Sequence, residues 1–213
     1  MKLGSKELLN RCIDNWGSIK IDDPTIYRMK LYKNLDKYFD LYSTIVYLCD
    51  EIPVKSYLEI GVRNCASLIH AIKAKSVEKV VGIDLWLGNY AGLPNTYEFA
   101  LEQIKNFKKD ITLIKGNSIK EVKKIKDKFD LITIDGAHDV KGLKTDIDNC
   151  LPLLNSKAAI IIDDINHPLH RDELLPFVRS LYSKINFEHL ENLQGNGTVI
   201  FYRGFEIESF LGQ

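Results

Sequence analysis

The stretch from Phe129 to Asp164, FDLITIDGAHDVKGLKTDIDNCLPLLNSKAAIIIDD, decides the fold. It contains two apolar segments, Leu131–Ile134 and Ala158–Ile162, separated by an amphipathic helical pattern that begins at Val140. Continuous apolar runs of this length are typical of strands that are buried on both faces. A strand, a helix and a second strand in this order predict two parallel strands joined by a crossover helix.

Acidic residues follow both apolar segments directly. Asp135 ends the first, Asp163 and Asp164 end the second, and His138 lies one short turn beyond Asp135. Parallel neighbours place these residues at one edge of the sheet, the edge at which open α/β sheets bind ligands. Capping of a following helix is the alternative for each aspartate, because Asp is preferred there. Three aspartates and a histidine at matched strand ends favour a site.

Composition narrows the class of protein. The 213 residues fit one domain with a small appendage. Lys plus Arg equals Asp plus Glu at 29 each, which argues against a nucleic-acid partner. The scattered Cys12, Cys49, Cys65 and Cys150 form no C-x-x-C pair and favour a reduced, cytoplasmic protein. No segment is suited to span or enter a membrane, so we expect no membrane partner, and a homodimer stays open.

The first 53 residues predict helices and no strand. Apolar spacing predicts one helix over Lys6–Trp16 and a longer one over Tyr27–Glu51, ended by Pro53. We therefore expect a helical extension over 1–53 and the main domain over 54–213. The longer helix is rich in tyrosine, so it is expected to form a wall or lid over a substrate. An oligomer contact or plain core cover is the alternative.

From residue 55 onward, strand and helix patterns alternate. The predicted strands are Ser56–Ile60, Lys79–Ile83, Ile111–Lys115, Asp130–Ile134, Ala158–Ile162, Ile185–Leu190 and Thr198–Tyr202. The predicted helices are Cys65–Ala74, Thr96–Lys108, Ile119–Ile125, Val140–Leu153 and Pro168–Tyr182. A short glycine-containing connection predicts a hairpin between the last two strands. The fold class is therefore α/β: a doubly wound, mostly parallel sheet of seven strands, the last antiparallel, with an N-terminal helical extension.

Candidate ligand-binding residues follow the first two strands. Glu59 lies near the end of the first strand, and Gly61 follows it, where a glycine allows a tight turn and close approach of a ligand. The next helix presents its free N–H groups to the same crevice. The segment does not match G-x-G-x-x-G, which argues against a dinucleotide. Asp84 ends the second strand and can accept the hydroxyls of a ribose or cap a helix.

For three further residues, the sequence allows either a ligand-binding or a structural role. Trp86 is suited to cover an adenine face or to fill the core. Asn117, after the third strand, can bond an adenine edge, whereas Ser118 can simply cap the next helix.

Five segments together carry a resemblance: YLEIGVRNCAS, VVGIDLW, LIKGNS, FDLITIDGAH and AAIIIDD. In this order and spacing, the chain from about Lys55 to Arg203 resembles a class I S-adenosylmethionine-dependent methyltransferase. More narrowly, it is similar to the small O-methyltransferase-like methyltransferase-24 family. The resemblance implies a Rossmann-like sheet of strand order 3-2-1-4-5-7-6 and S-adenosylmethionine as the cofactor.

The resemblance also implies contacts with the cofactor. Glu59 and Gly61 border its methionine part, Asp84 holds the ribose, and Asn117 with Ser118 flanks the adenine. The full implied set is Glu59, Gly61, Asn64, Asp84, Leu85, Trp86, Asn117, Ser118 and Asp135. Two departures from the family pattern are Cys65, in place of a glycine, which could crowd the cofactor, and Lys157-Ala158, in place of a Gly-Gly turn.

The expected chemistry is methyl transfer to a hydroxyl of a small molecule, such as a sugar or a catechol. His138 and Asp135 are the candidate catalytic residues, with His138 as general base because imidazole titrates near neutral pH. A packing or capping role is the alternative for His138. Asp135, Asp163 and Asp164 are expected to hold Mg²⁺ or another divalent cation, as the resemblance to metal-dependent O-methyltransferases implies.

Other functions stay open. His167 and His170 lie in a loop suited to substrate contact, although surface placement is the simpler expectation. The fourth strand lacks the Asp- or Asn-Pro-Pro-aromatic motif of enzymes that methylate nucleic-acid bases. A binding or scaffold protein that kept the fold without the chemistry is the main alternative, favoured by Cys65. A third alternative is an enzyme that keeps the fold and the acidic edge but catalyses other chemistry, as in relatives that resemble cephalosporin hydroxylases.

Overall fold

A central sheet with helices on both faces organises the molecule. The structure, a computed structural model, describes residues 3, 5–17, 26–27, 29–30, 40–90, 92–137, 139–165, 171–181, 187–188 and 197–205. The strands in these ranges are β1 (Ser56–Ile60), β2 (Lys79–Asp84), β3 (Gly88–Tyr90), β4 (Leu93–Asn95), β5 (Asp110–Lys115), β6 (Phe129–Ile134), β7 (Leu154–Ile162), β8 (Phe187–Glu188) and β9 (Val199–Arg203).

The strand order confirms the predicted fold class. Seven strands form one sheet in the order β5-β2-β1-β6-β7-β9-β8, and β3 pairs with β4 in a separate hairpin. Without that hairpin the order is 3-2-1-4-5-7-6. The first five of these strands are parallel, and β9 runs antiparallel to both β7 and β8. The carboxyl ends of β1, β2, β5, β6 and β7 therefore meet at one edge.

The helices cover the sheet in two groups. The described helices are α1 (Lys6–Trp16), α2 (Leu41–Glu51), α3 (Ala66–Lys73), α4 (Tyr97–Ile104), α5 (Ser118–Glu121), α6 (Val140–Cys150) and α7 (Arg171–Leu181). Short 3₁₀ turns at Val122–Lys124 and Leu151–Leu153 follow α5 and α6. Alternate residues of each strand face opposite layers. Thus Tyr57 joins the core shared with α1, α2 and α3, whereas its neighbour Leu58 joins the core shared with α6 and α7.

The predicted long helix over Tyr27–Glu51 is wrong as a single helix, because it is broken at Asp40, although residues 26–27 and 29–30 are helical. Asp40 has an extended backbone, with φ −148° and ψ −176°, and caps a helix that begins at Leu41. Its side chain accepts from the Ser43 backbone while the Ser43 hydroxyl accepts from the Asp40 backbone, a reciprocal capping box. Residues 31–39 lie outside the described residues.

Other element boundaries also differ from the sequence expectations. The hairpin β3–β4 was not predicted, because strands of three residues carry too little pattern to detect. β7 starts at Leu154 rather than Ala158, and its pairing with β6 shifts between Phe129 and Leu131. Most of the predicted strand Ile185–Leu190 and of the connection to β9 lies outside the described residues.

Two further observations concern the cysteines and the lengths of the helices. All four cysteines are free and buried. Within the described ranges, the helices are too short or too polar to cross a bilayer.

Candidate functional site

Gly61 brings the ends of β1 and β6 into close contact. Its φ is +89°, and a Cβ at this position would lie 1.9 Å from the carbonyl oxygen of Asp135. The sheet pairing continues past the strands, since the Asp135 N–H donates to Ile60 and the Asp163 N–H donates to Ile134. A glycine is therefore required here by the backbone of Asp135, whatever the ligand.

Glu59 lies behind the crevice rather than on its surface. Its side chain is fully buried, and its two carboxyl oxygens accept from the hydroxyls of Tyr57 and Ser67, each at 2.6 Å. Thr133 Oγ1 is 2.9 Å from the Tyr57 hydroxyl and donates to it, because tyrosine has a single hydroxyl proton. Burial raises the pKa of Glu59 to about 8, although both hydroxyl contacts lower it.

Asp84 organises the loop around it. Its Oδ2 accepts from the backbone N–H of Arg63 and its Oδ1 from that of Trp86, both at 2.7 Å. Both donors have left-handed backbones, with φ of 50° and 45°. A carboxylate has about four acceptor positions, so Asp84 keeps capacity for the two ribose hydroxyls.

Trp86 packs in the core. Its indole is buried, donates from Nε1 to the Arg63 carbonyl at 2.8 Å, and contacts the Tyr97 ring edge-on with centroids 5.0 Å apart. Trp86 therefore fills the core, which is the second of the two roles that the sequence allows. The preceding Leu85, by contrast, is 45% exposed.

Cys65 has a backbone conformation that is more usual for glycine. Its φ is 69°, a left-handed conformation that glycine adopts without strain. The thiol is buried and lies 3.7 Å from the Ala100 carbonyl of α4. Burial raises the pKa of this thiol, so it stays protonated. The side chain is thus held toward α4.

Asn64 leaves a buried donor at the N-terminus of α3. Its Oδ1 accepts from the Ala66 N–H at 3.2 Å, and its side chain is 2% exposed. Its Nδ2 has no hydrogen-bond partner among the described residues. A buried unsatisfied donor beside free helix N–H groups suits a carboxylate ligand. The residues around Gly61 therefore fit a cofactor that carries an amino-acid group.

The turn after β5 completes this side of the crevice. Asn117 is exposed and caps α5 by accepting from the Ile119 N–H at 2.9 Å. Ser118 instead donates to Asp146 Oδ2 at 3.0 Å. The Gly116 N–H donates to the Asp84 carbonyl at 2.9 Å, which ties the turn to the end of β2.

The predicted acidic edge is present as a group of interacting carboxylates. Asp135, Asp163 and Asp164 are half-buried. Burial, followed by the charges of Asp163, Asp164 and Glu59, raises the pKa of Asp135 well above its usual range. Burial and then the charge of Asp164 raise the pKa of Asp163 to about 7, while a hydrogen bond from Thr198 lowers it.

These carboxylates do not fit a three-ligand metal site. In the part of the chain that the structure describes, no group of three or more His, Cys, Asp or Glu side chains is arranged to hold a metal ion. Asp163 is held by the Thr198 hydroxyl, and Asp164 has a left-handed backbone with φ of 59°. The expected binding of one divalent cation by Asp135, Asp163 and Asp164 is therefore not supported by the described residues.

The N-terminus of α2 lies close to this edge. The charge of Asp40 contributes to the raised pKa of Asp163, and α2 packs against α3 and β7.

His138, His167 and His170 lie outside the described residues. Four buried or bonded residues near the site were not expected from the sequence: Tyr57, Thr133, Thr198 and Asp146. Among them only Asp146 carries a local signal, because it is an acid within an apolar helical stripe.

A doubly wound sheet with this strand order and a glycine turn after β1 has the architecture of class I methyltransferases. The family model described as a methyltransferase domain, the methyltransferase-24 family, matches residues 58–165. The chain belongs to this family. No curated protein matches it significantly in sequence.

Solved structures share the fold at low identity. The O-methyltransferase NovP is 16% identical, with a TM-score of 0.62 over 76% of this chain and 78% of NovP. The Podospora anserina methyltransferase PaMTH1, bound to S-adenosylhomocysteine, is 17% identical, with a TM-score of 0.61 over 92% and 88%. A Bacillus cereus O-methyltransferase in complex with the same ligand is 15% identical, with a TM-score of 0.55 over 92% and 98%.

Proposed function

We propose that this protein transfers the methyl group of S-adenosylmethionine to a hydroxyl of a small molecule, such as a sugar or a catechol. One observation carries the proposal: the ends of β1, β2 and β5 bring the Gly61 turn, Asp84 and the Asn117–Ser118 turn to one edge of the sheet. The half-buried carboxylates at the ends of β6 and β7 adjoin the same edge. Family membership supports the reaction type.

Each part of the cofactor has a matching group in the chain. Asn64 Nδ2 and the N-terminus of α3 offer donors to its carboxylate, and Asp84 offers acceptors to its ribose hydroxyls. Asn117 and Ser118 border the adenine. When bound, S-adenosylmethionine supplies an electrophilic methyl group on a positively charged sulfur.

The protein's own task is to orient the acceptor and remove its proton. Positioning supplies much of the acceleration of such transfers, and a general base typically adds about 10²–10⁴-fold. We assign the base to His138, which follows Asp135, the residue at the end of β6, by three positions in the sequence. When they are ionised, the carboxylates of the acidic edge favour a positively charged sulfur nearby. No step is assigned to a metal ion, because the carboxylates do not form a matching donor set.

The acceptor is proposed to lie between the acidic edge and α2. The effect of Asp40 on the pKa of Asp163 supports this placement. Of the tyrosines in this segment, Tyr47 is buried and Tyr42 packs against Trp16, with ring centroids 4.9 Å apart. Both rings pack in the core shared with α1, as the core-cover alternative expects, so the proposed wall rests on the position of Asp40.

Calorimetric titration of the wild-type protein with S-adenosylhomocysteine tests the cofactor assignment. We expect saturable heat with a Kd below about 1 mM, and no heat with adenosine 5′-monophosphate at the same concentration. Absence of saturable heat would overturn the proposal. Incubation with radiolabelled S-adenosylmethionine and a set of catechols and sugars then tests transfer. Binding without transfer to any of them would favour the scaffold alternative.

A further inference from the structure

A carboxyl group lies buried within the apolar face of α6. Leu143, Ile147 and Cys150 of this helix are buried against the sheet, and Asp146, at the same helical spacing, has no exposed surface. Burying an acid in apolar surroundings is costly unless specific contacts compensate it. We therefore expect Asp146 to form a specific contact that compensates for the cost of its burial.

That partner is Ser118, on a different element. Ser118 Oγ donates to Asp146 Oδ2 at 3.0 Å, and Oδ1 has no hydrogen-bond partner within the described ranges. Burial raises the pKa of Asp146 to about 6, the Ser118 hydroxyl lowers it, and the charge of Asp139 raises it. At pH 7 and above the group is therefore mainly an acceptor.

Ser118 belongs to the turn that borders the proposed adenosine site. It is the first residue of α5, next to Asn117, which caps that helix. The preceding Gly116 donates its N–H to the carbonyl of Asp84, the residue proposed for the ribose. Movement of Ser118 would therefore shift contacts with both the adenine and the ribose.

Asp146 also belongs to the helix that follows the acidic edge. α6 begins at Val140, is capped by Asp139, and follows the loop that starts at Asp135. The Ser118–Asp146 bond therefore connects the turn after β5 with the helix after β6, across the two intervening strands of the sheet.

We propose that Asp146 is a positioning residue of the cofactor site, which acts through Ser118 to hold the turn from Gly116 to Ser118 in place for the adenosine part. This inference rests on the proposed function. It assigns to Asp146 no contact with the ligand. The purely structural alternative is that the bond only fastens α5 to α6.

The test uses four variants of the full chain: Asp146→Ala, Asp146→Asn, Ser118→Ala and the double Asp146→Ala/Ser118→Ala. The control is Asp148→Asn, which removes an exposed acid from the same helix. Two quantities are measured at pH 7.5: the Kd for S-adenosylhomocysteine by calorimetry and the midpoint of thermal unfolding. Ser118→Ala serves if the Asp146→Ala variant does not fold.

Positioning predicts a specific pattern of affinities. Asp146→Ala and Ser118→Ala each weaken binding by about tenfold, the scale of one hydrogen bond to a charged group. The double variant is no weaker than either single variant, because both remove the same bond. Asp146→Asn keeps an acceptor oxygen and stays within about threefold of wild type, as does the control.

Two results would overturn positioning while leaving the cofactor assignment intact. One is wild-type affinity in all variants with a lowered unfolding midpoint, which would make the bond structural only. The other is a double variant whose loss is the product of the single losses. Failure of the wild type itself to bind S-adenosylhomocysteine overturns the proposed function as well, and is seen before any variant is made.

Discussion

Glu59 illustrates how the ionisation of one buried residue can affect the stability of the whole fold. Its carboxyl group is fully buried at the end of β1, between the hydroxyls of Tyr57 and Ser67. Desolvation disfavours the charged form of a buried acid, and the pKa of Glu59 rises from 4.5 to about 8. A group whose pKa is higher in the folded than in the unfolded state stabilises the fold at low pH and loses that contribution as pH rises.

Stability should therefore depend on pH through Glu59. The contribution is fully present below pH 4.5 and is lost as pH rises through about 8. We expect Glu59→Gln to be more stable than wild type at pH 8.5 by about 1–3 kcal/mol, and not more stable at pH 4, since each pKa unit corresponds to about 1.4 kcal/mol. Urea unfolding at both pH values measures this. Glu78→Gln, an exposed control, should change neither.

Asp84 carries the sharpest test of the cofactor site. Asp84→Ala should weaken S-adenosylhomocysteine binding by about 1.5–3 kcal/mol, the scale of hydrogen bonds to a charged group. The same change frees the N–H groups of Arg63 and Trp86, so Asp84→Asn, which keeps one acceptor oxygen, is the matched variant. We expect Asp84→Asn to lie between Asp84→Ala and wild type in calorimetry. Equal affinity of all three proteins would remove the ribose role.

Sequence reasoning located Gly61, Asp84 and the Asn117–Ser118 turn because each directly follows a recognisable strand. It could not detect that Thr133 bonds Tyr57, or that Asp163 accepts from Thr198, since these contacts join residues far apart in the chain. It also could not detect that Asp164, at the acidic edge, adopts a left-handed backbone. Adjacent strand ends fix the positions of Cα atoms, whereas side-chain direction depends on local backbone, such as the left-handed Asp164.

At the scale of elements, α2 shows the limit of periodicity. The apolar spacing from Leu31 to Cys49 predicts one helix, but Asp40 interrupts it with an extended backbone and begins a new helix through a capping box. A single extended residue does not change the apolar spacing, so the spacing cannot reveal the break. The Asp40–Ser43 pair, by contrast, is a capping signal that can be read in the sequence. The strands were predicted more closely because long apolar runs leave few alternatives.

The capping role of Asp40 can be tested separately from the effect of its negative charge. Asp40→Ala removes the cap and should lower the free energy of unfolding by about 1 kcal/mol. Asp40→Asn keeps a good cap without the charge, so its loss should be smaller than about 0.5 kcal/mol at pH 7. Because Asp40 helps to raise the pKa of Asp163, both variants should lower that pKa, measurable by NMR titration of the Asp163 carboxyl carbon. An unchanged pKa would place α2 away from the acidic edge.

At the scale of the whole molecule, the topology could be predicted because right-handed crossovers and parallel pairing leave few arrangements. The division of the chain was less evident. The sequence predicts residues 1–53 as an extension, yet buried residues of α1 and α2, such as Leu9 and Ile45, share one apolar cluster with Tyr57 and Ile161 of the sheet. A fully buried side chain of this kind contributes about 1.5–3 kcal/mol, against a total stability of about 5–15 kcal/mol.

The shared core predicts that the N-terminal helices and the sheet unfold together. The two tryptophans report on the two parts: Trp16 is buried at the end of α1 and Trp86 after β2. Variants Trp16→Phe and Trp86→Phe each leave one reporter, and conservative aromatic replacement limits the disturbance. Each variant is unfolded in urea and followed by the fluorescence of its remaining tryptophan and by far-ultraviolet circular dichroism. We expect the two methods to give the same free energy of unfolding for each variant, as in a two-state transition. Loss of the Trp16 signal at lower urea than the circular dichroism would instead establish residues 1–53 as a separable unit, and a chain shortened to 54–213 should then fold alone.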